Sequence, residues 1–340
     1  MTDYLSFHAS AARACLGLPR FDVVVTLTTP PIIGLLGTLL KTARGSRHVS
    51  WSMDLHPDAS IALGRMEPGN PVVAAMRWLS DTVSRQADAV VALGPHMARL
   101  LAAKGVQPAR LKQVPVWSRR DEVYPLPREG HPLRASLGLA DKFVAMYSGN
   151  LGLAHTFDEF LGAARKLRHR ADIVFLFVGG GPRLGEVQKA VGEEHLENIR
   201  ILDYFPREQL HISLSIADVH LISMRREMTG IVVPGKLYGA MASARPCVFV
   251  GPERCESSDT IRQAECGLTI SEKDVDGLTK ALVTLADDPE LRRKLGERGR
   301  DAFLESHERE VCCASWAELI QGMLGTKVPA QVRTFVEVAS

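Results

Sequence analysis

Three short stretches in the second half of the chain decide its fold: FVAMYSGNLG at 143–152, IVFLFVGGGP at 173–182 and GIVVPGKLY at 230–238. In each stretch, a run of apolar residues predicts a buried strand that gives way to a helix at a turn of glycine or proline. Parallel strands with such turns at their carboxyl ends form an edge on which anions bind. These stretches therefore predict a phosphorylated ligand, and a nucleotide sugar is the first hypothesis.

The composition is that of a folded protein with about two domains. The chain has 340 residues, of which 46% are hydrophobic and 24% charged, and this excludes a disordered protein. Its net charge of +2 is too small to indicate a nucleic-acid partner. Six cysteines without metal spacing are typical of reduced cytoplasmic thiols. The sequence shows no signal peptide and no membrane-spanning stretch, so a peripheral membrane contact stays open.

Between residues 142 and 306, apolar strands alternate with amphipathic helices. The predicted strands are 143–148, 173–178, 199–203, 218–223, 246–250 and 267–270. The predicted helices are 157–168, 183–194, 207–215, 235–243, 256–264 and 274–286. Apolar strands separated by helices predict a parallel sheet covered on both faces, and six strands complete a doubly wound α/β domain.

Residues 1–123 repeat this alternation less completely. The predicted strands are 22–28, 48–53, 88–93 and 111–116, and the predicted helices are 3–16, 31–43, 71–85 and 95–104. This lobe opens on a helix, so either it is unusually small or strands are missing upstream of Met1. Residues 124–141 are predicted as a linker, and 307–340 as a final helix with a tail.

Lys236 is the strongest single candidate for contact with an anion. If a helix begins near Pro234, Lys236 lies in its first turn, where the helix dipole disfavours a cation by roughly 0.3–1 kcal/mol. A bound diphosphate would reverse that effect. The alternative is a lysine whose ammonium escapes to solvent, and position alone does not separate the two.

Other turns of this half supply further candidates. The glycines of the turn at 149–152 would let N–H groups approach a phosphate, while Thr156 and Glu159 are spaced as a capping box. His155 either adds charge there or is an exposed loop histidine. The turn at 179–182 either contacts the ligand or only joins strand to helix. An aromatic residue of 203–206 either borders a nucleobase or fills the core.

Polar residues also end two strands of the first lobe. Asp54 and His56 would flank a reacting sugar as acid–base groups, or they belong to an Asx-type turn that closes the strand. Thr29 and Pro30 end the preceding strand, where proline suits the start of a helix. The sequence contains no metal-binding constellation and no Walker P-loop.

These residues resemble glycosyltransferase family 4, the glycosyl transferases group 1, and within it the bacterial colanic-acid and O-antigen enzymes. The resemblance covers nearly the whole chain. It is carried by DVVV (22–25), PP (30–31), DLHPD (54–58), ADAVV (87–91), YSGNLG (147–152), FVGGGP (177–182), PGKLY (234–238) and ASARP (242–246).

The resemblance implies the GT-B fold: two Rossmann-like doubly wound lobes facing each other across a cleft, the first of them incomplete. The second lobe would hold a nucleotide-diphosphate sugar and the first a saccharide or polyprenyl-linked acceptor. Transfer would need no metal or other cofactor and would retain the anomeric configuration. The enzyme would act in the cytoplasm, at the inner face of the membrane. The helix at 31–43, ending near Lys41 and Arg44, would contact anionic lipid or simply pack on the sheet.

The residue patterns described above and the resemblance together give a set of site residues. Asp54, His56 and Lys236 would be catalytic, and Thr29 and Pro30 would lie on the acceptor side. Lys236 would stabilise the leaving diphosphate. Contacts with the donor would come from Gly149, Asn150, Gly152, His155, Gly179, Gly180, Gly181, Phe205, Pro234, Gly235 and Lys236.

The chain departs from the family in three respects. Two glutamates, one of which contacts the ribose in relatives, are replaced by Ile231 and Gly239, and the serine of a Pro-Ser-Lys turn is Gly235. The opening strand and glycine loop of relatives are also missing. Two alternatives therefore stay open. One is a non-catalytic donor-binding subunit that depends on a complementing N-terminal polypeptide. The other is a nucleotide-sugar epimerase of the same fold.

Overall fold

The structure, a computed structural model, describes residues 2–325 and forms two compact units. Among the described residues, the first comprises 2–115, 230–233 and 310–325, and the second comprises 116–229 and 234–309. Residues 116–123, assigned above to the first lobe, therefore group with the second unit. The tail predicted after the last helix lies outside the described residues.

The first unit contains a parallel sheet of four strands in the order β1-β2-β3-β4. The strands are β1 (Val23–Thr26), β2 (Arg47–Trp51), β3 (Ala89–Ala92) and β4 (Leu111–Gln113). Its helices are α1 (Thr2–Gly17), α2 (Gly34–Arg44), α3 (Asp58–Ala62), α4 (Pro71–Gln86) and α5 (Pro95–Ala103). The four strands and four longer helices predicted from the sequence are confirmed, whereas the short α3 was missed.

Helix α2 packs closely on the sheet and on α4 through two glycines. A Cβ added to Gly37 would lie 2.2 Å from the ring of His48, which is buried in β2. A Cβ added to Gly34 would lie 2.5 Å from Val83 of α4. Both distances are shorter than any carbon contact allows, so these positions require glycine.

The cations of α2 are bonded within the first unit. The ammonium of Lys41 lies 2.8 Å from a carboxylate oxygen of Asp88. The guanidinium of Arg44 donates to the carbonyl groups of Leu16 and Leu18. Helix α2 thus packs against the sheet, as the second of the two interpretations proposed, and contact of its two cations with anionic lipid stays a prediction. Within residues 2–325, no helix combines the length and apolar character needed to cross a membrane.

The second unit contains a parallel sheet of six strands in the order β10-β9-β8-β5-β6-β7. The strands are β5 (Phe143–Ser148), β6 (Ile173–Val178), β7 (Ile199–Leu202), β8 (Val219–Ser223), β9 (Cys247–Val250) and β10 (Gly267–Ile270). All six were predicted from the sequence, with bounds that agree to within one residue. The strand order reverses at the β5–β8 pair, and ligands of doubly wound sheets bind at such a switch point.

Helices cover both faces of this sheet. They are α6 (Pro132–Ser136), α7 (Asp158–Lys166), α8 (Leu184–Glu194), α9 (Leu210–Ser215), α10 (Lys236–Ala242), α11 (Glu256–Ala264), α12 (Val275–Asp287) and α13 (Pro289–Ser306). The last helix, α14 (Arg309–Leu324), groups with the first unit from residue 310 onward. Buried rings of Tyr147, Phe157, Phe160 and Phe177 form the centre of the core. The six cysteines form no disulfide, and four of them are buried.

Two local predictions for this half of the chain were wrong. Residues 230–233 form an irregular segment and not a strand, and the N–H of Leu55 donates to the carbonyl of Ile231 at 3.1 Å. Thr156 and Glu159 do not form a capping box, because the Thr156 hydroxyl donates to the Glu159 carboxylate at 2.6 Å. The other oxygen of the Glu159 carboxylate accepts the N–H of Lys273 at 2.7 Å, so in both cases a partner far away in the chain takes part in deciding the local conformation.

Candidate functional site

Lys236 occupies the first position of α10, and its side chain crosses the turn that follows β5. This turn, residues 149–155, is called the β5 turn below. The ammonium Nζ lies 3.2 Å from Nε2 of His155 and 5.0 Å from the ring centroid of Tyr147. A Cβ added to Gly149 would lie 3.0 Å from Cε of Lys236. The lysine is thus half-buried against the turn, and the alternative that its ammonium escapes to solvent is wrong.

The charge of Lys236 is not neutralised by the protein. No carboxylate lies within ion-pair distance of its ammonium in the part of the chain that the structure describes. Burial lowers the pKa of Lys236 to about 8. A half-buried ammonium without a counter-ion attracts an anionic ligand, because binding restores the electrostatic stabilisation that burial removed.

His155 is neutral and orients the ammonium. Its Nδ1 donates to the carbonyl of Ser223, and this bond assigns the lone pair of Nε2 to the Lys236 ammonium. Burial and the nearby charge of Lys236 lower the pKa of His155 to about 4. The ring therefore does not add the positive charge that the sequence suggested, nor is it an exposed loop histidine.

The backbone N–H groups of residues 149–152, the first four of the β5 turn, fall into two sets. Those of Gly149 and Leu151 each donate to a carbonyl group of the protein at 2.8 Å. Those of Asn150 and Gly152 have no hydrogen-bond partner among residues 2–325. The N–H of Gly149 is thus not available to a phosphate, which corrects its predicted role. Gly149, with φ of 121°, instead leaves room for Lys236.

The glycines at 179–181 pack against the β5 turn. A Cβ added to Gly179 would lie 2.4 Å from the carbonyl oxygen of Gly149. A Cβ added to Gly181 would lie 2.4 Å from the side-chain oxygen of Asn150. Close packing of the two turns therefore explains why glycine occupies these positions. This agrees with the interpretation that the turn at 179–182 only joins strand to helix. Their contact with a donor stays a prediction.

The ring of Tyr204, the neighbour of Phe205, lies at this edge of the sheet, and contact of Phe205 with a donor stays a prediction. The side chain of Tyr204 is 59% exposed, and its hydroxyl donates to the carbonyl of Gly180 at 3.3 Å. Phe205 is half-buried. The sequence does not distinguish these neighbours, because the loop after β7 lacks the alternation that orients side chains in a strand.

Pro234 and Gly235 lead directly into α10. Gly235 is the N-cap residue, and a Cβ there would meet Val116 at 3.6 Å, an ordinary contact distance. The serine expected from the resemblance would therefore fit at this position. Gly239 lies within α10, where a Cβ would approach Leu214 at 3.3 Å.

The first unit brings Thr28 to the loop after β2. The Thr28 hydroxyl accepts the N–H groups of Met53 and Asp54, both at 3.1 Å. Burial raises the pKa of Asp54, and the nearby His56 opposes this shift. Within the described residues the Asp54 carboxylate accepts no backbone N–H, so Thr28 closes this loop and not an Asx turn. Thr29, chosen from the sequence, makes no such contact.

Two family profiles match the chain. The profile described as glycosyl transferases group 1 matches residues 132–302, about half of the chain. The profile described as glycosyl transferase 4-like domain matches residues 2–117. Together they cover the second and the first unit almost completely.

Curated relatives agree with these profiles. WbjE of Pseudomonas aeruginosa, named a glycosyltransferase, is 27% identical over 248 residues, which cover 73% of this chain and 62% of WbjE. WcaI of Escherichia coli K12, named a colanic acid biosynthesis glycosyl transferase, is 27% identical over 65% of this chain and 54% of WcaI. The chain thus spans a little over half the length of these relatives.

A solved structure shows the fold. HepE of Anabaena, crystallised with UDP-glucose, has a TM-score of 0.74 and 13% identity, and the likeness covers 93% of this chain and 82% of HepE. The predicted GT-B fold with two Rossmann-like lobes is confirmed. With a family profile over residues 132–302 and two parallel sheets of the expected kind, this chain belongs to the glycosyl transferases group 1 family.

Proposed function

We propose that this protein transfers a glycosyl group from a nucleotide-diphosphate sugar to a saccharide acceptor. The observation that carries this proposal is the ammonium of Lys236, half-buried and without a carboxylate partner among residues 2–325. The N–H groups of Asn150 and Gly152, also without protein partners in that range, lie in the same turn. A diphosphate would satisfy these donors together, and HepE, which shares the fold, was crystallised with UDP-glucose.

The role of Lys236 in catalysis follows from where charge develops. As the bond between the sugar and the diphosphate breaks, negative charge grows on the leaving oxygen. A fixed ammonium stabilises this charge more in the transition state than in the bound donor, which accelerates the reaction. Because Lys236 supplies the charge that the leaving group requires, we propose transfer that needs no metal or other cofactor.

The acceptor side of the proposal rests on the first unit. Asp54 and His56 would face the reacting sugar, and Thr28 would hold their loop. The name of WcaI supports an acceptor in the assembly of a surface polysaccharide. We further propose a lipid-linked acceptor at the inner face of the cytoplasmic membrane and retention of the anomeric configuration.

The proposal is tested by thermal shifts with UDP-, GDP- and dTDP-sugars, because a bound ligand raises the melting temperature. At least one donor should stabilise the wild type, and Lys236→Met should weaken its binding about 10- to 100-fold, as expected for a lost charge-assisted bond. Lys142→Met is the control, because among residues 2–325 that ammonium bonds only the Ala171 carbonyl, at the opposite edge of the sheet. Equal affinities for all three proteins would refute the site.

Chemistry is tested separately with the donor that binds. Incubation with a labelled donor and a polyprenyl-linked saccharide should move the label to the acceptor, with the same anomeric configuration in product and donor. Transfer should persist in the presence of EDTA. Conversion of the donor to an epimer without transfer would contradict the proposal.

A further inference from the structure

A small polar cavity lies in the first unit, between the carboxyl ends of β1 and β2 and the helices α2 and α4. Its volume is about 20 Å³, and five of its lining residues are polar: Thr28, Ser50, His56, Ser80 and Ser84. A single water needs about 10–15 Å³ of such space. The cavity therefore accepts one group of the size of a water or a hydroxyl.

The lining groups leave both donors and acceptors for such a group. The Thr28 hydroxyl accepts two N–H groups at 3.1 Å, so its own proton is free to be donated. The Ser84 hydroxyl donates to the carbonyl of Ser80 at 3.0 Å, so its lone pairs are free to accept. The buried Nδ1 of His56 has no hydrogen-bond partner among residues 2–325.

The chemistry of the lining selects a neutral hydroxyl. No lysine or arginine is among the described residues that line the cavity, and a phosphate or carboxylate is too large for 20 Å³. A methyl group would fit by size but would leave buried donors and acceptors unsatisfied. A hydroxyl group both donates and accepts, and it can replace a water while reproducing its hydrogen bonds.

We propose that this cavity binds one hydroxyl group of the saccharide acceptor and thereby determines which acceptors are used. Thr28 links the cavity to the loop of Asp54, because the same hydroxyl accepts the Asp54 N–H. Binding of the acceptor hydroxyl thus fixes the sugar ring next to that carboxylate. This inference rests on the proposed function for the identity of the ligand as an acceptor.

The test uses saturation-transfer NMR on the full chain. The probes are the methyl glycosides of glucose, galactose and mannose, together with the analogues of each that lack one hydroxyl. In the wild type, at least one glycoside should bind, and one of its deoxy analogues should bind about tenfold more weakly, the effect of one hydrogen bond. Failure of every glycoside to bind would overturn the inference.

Two variants test whether the hydroxyl that the weaker-binding deoxy analogue lacks is the one that enters the cavity. Ser84→Val fills the cavity with a methyl group. The affinity of the variant for the parent glycoside should then fall to its affinity for the deoxy analogue, so the difference between the two affinities should vanish. Ser84→Ala, which preserves the helix if the larger substitution does not fold, should reduce that difference. Ser315→Ala is the control, because the exposed Ser315 hydroxyl makes the same bond to the carbonyl four residues earlier. An undiminished difference in both Ser84 variants would refute the site.

The outcome is independent of the donor experiment. Nucleotide-sugar shifts report on Lys236 and should be equal in the wild type and the Ser84 variants. Glycoside selectivity without any nucleotide binding would leave the cavity as a saccharide site and reject the proposed transfer. Nucleotide binding without glycoside selectivity would leave the donor site in place and reject the cavity as a saccharide site.

Discussion

The Nζ of Lys236 lies 3.2 Å from Nε2 of His155, a residue 81 positions earlier in the chain. The opposite ring nitrogen of His155 is tied to the carbonyl of Ser223. A neutral imidazole therefore holds the ammonium in one orientation without cancelling its charge. Had a carboxylate taken the place of His155, the same geometry would have produced an ion pair with little remaining attraction for an anion.

The affinity for the donor should depend on the protonation of Lys236. Its pKa in the free protein is about 8. The dissociation constant should stay constant below about pH 7 and rise towards tenfold per pH unit above pH 8, as the ammonium loses its proton. Titration calorimetry between pH 6.5 and 9 measures this. Lys236→Arg keeps its charge over the whole range, so its binding should not weaken above pH 8.

The free protein should become more stable when Lys236 is replaced by methionine. Burial lowers the pKa of Lys236 in the folded state from 10.5 to about 8, so the unfolded chain binds more protons between these values. The charged lysine therefore destabilises the fold fully below pH 8, and the penalty disappears as the pH rises to 10.5. Lys236→Met should raise the free energy of unfolding by roughly 1–3 kcal/mol at pH 7, and by less at pH 10. Urea denaturation at both pH values decides this; an equal gain at both would contradict it.

Gly149→Ala should displace Lys236 and weaken donor binding about tenfold. The new Cβ would lie 3.0 Å from Cε of Lys236, at a φ of 121° that side chains rarely adopt. The backbone strain should also cost about 1–3 kcal/mol of stability. Gly185→Ala is the control, since a Cβ there meets open space within a helix. Wild-type donor affinity in a folded Gly149→Ala protein would show that the close contact is irrelevant to binding.

Asp54→Asn should reduce turnover while leaving nucleotide affinity unchanged. The substitution preserves the shape of the side chain and removes a carboxylate whose pKa is raised by burial. If Asp54 acts on the reacting sugar, the rate should fall by about 10²–10⁴, the range of acid–base contributions. Initial rates and dissociation constants are compared with those of Asp22→Asn, which changes an exposed residue of the same unit. A loss of affinity equal to the loss of rate would assign Asp54 to binding alone.

The positions of the strands along the chain could be predicted from the sequence because they depend on local composition. Strand β6 is apolar along its whole length, β5 is apolar up to Ser148, and a glycine follows each, so their observed bounds equal the predicted ones. Residues 230–233 have the same apolar character but pack as an irregular segment in which Ile231 accepts the Leu55 N–H. Composition reports that a segment is buried, whereas its partners determine whether it pairs as a strand.

The sequence does not predict which of two neighbouring residues makes a given contact. Thr28 and Thr29 are chemically identical, and only the position of the Met53 and Asp54 N–H groups selects Thr28. Tyr204 and its neighbour Phe205 differ in exposure for a similar reason, since an irregular loop sets the direction of each side chain.

Taken alone, the order of residues determined two α/β lobes and placed a lysine at the start of a helix after a turn of proline and glycine, because apolar runs, turn glycines and helix starts are properties of adjacent residues. Only the tertiary structure decided that Lys236 lies half-buried with no carboxylate partner among residues 2–325, that His155 is neutral, and that the Gly149 N–H is already bonded. These properties depend on Ser223, Val178 and other groups far away in the chain. Burial and hydrogen bonding between distant segments are absent from any local pattern, and they set the charge available to a ligand.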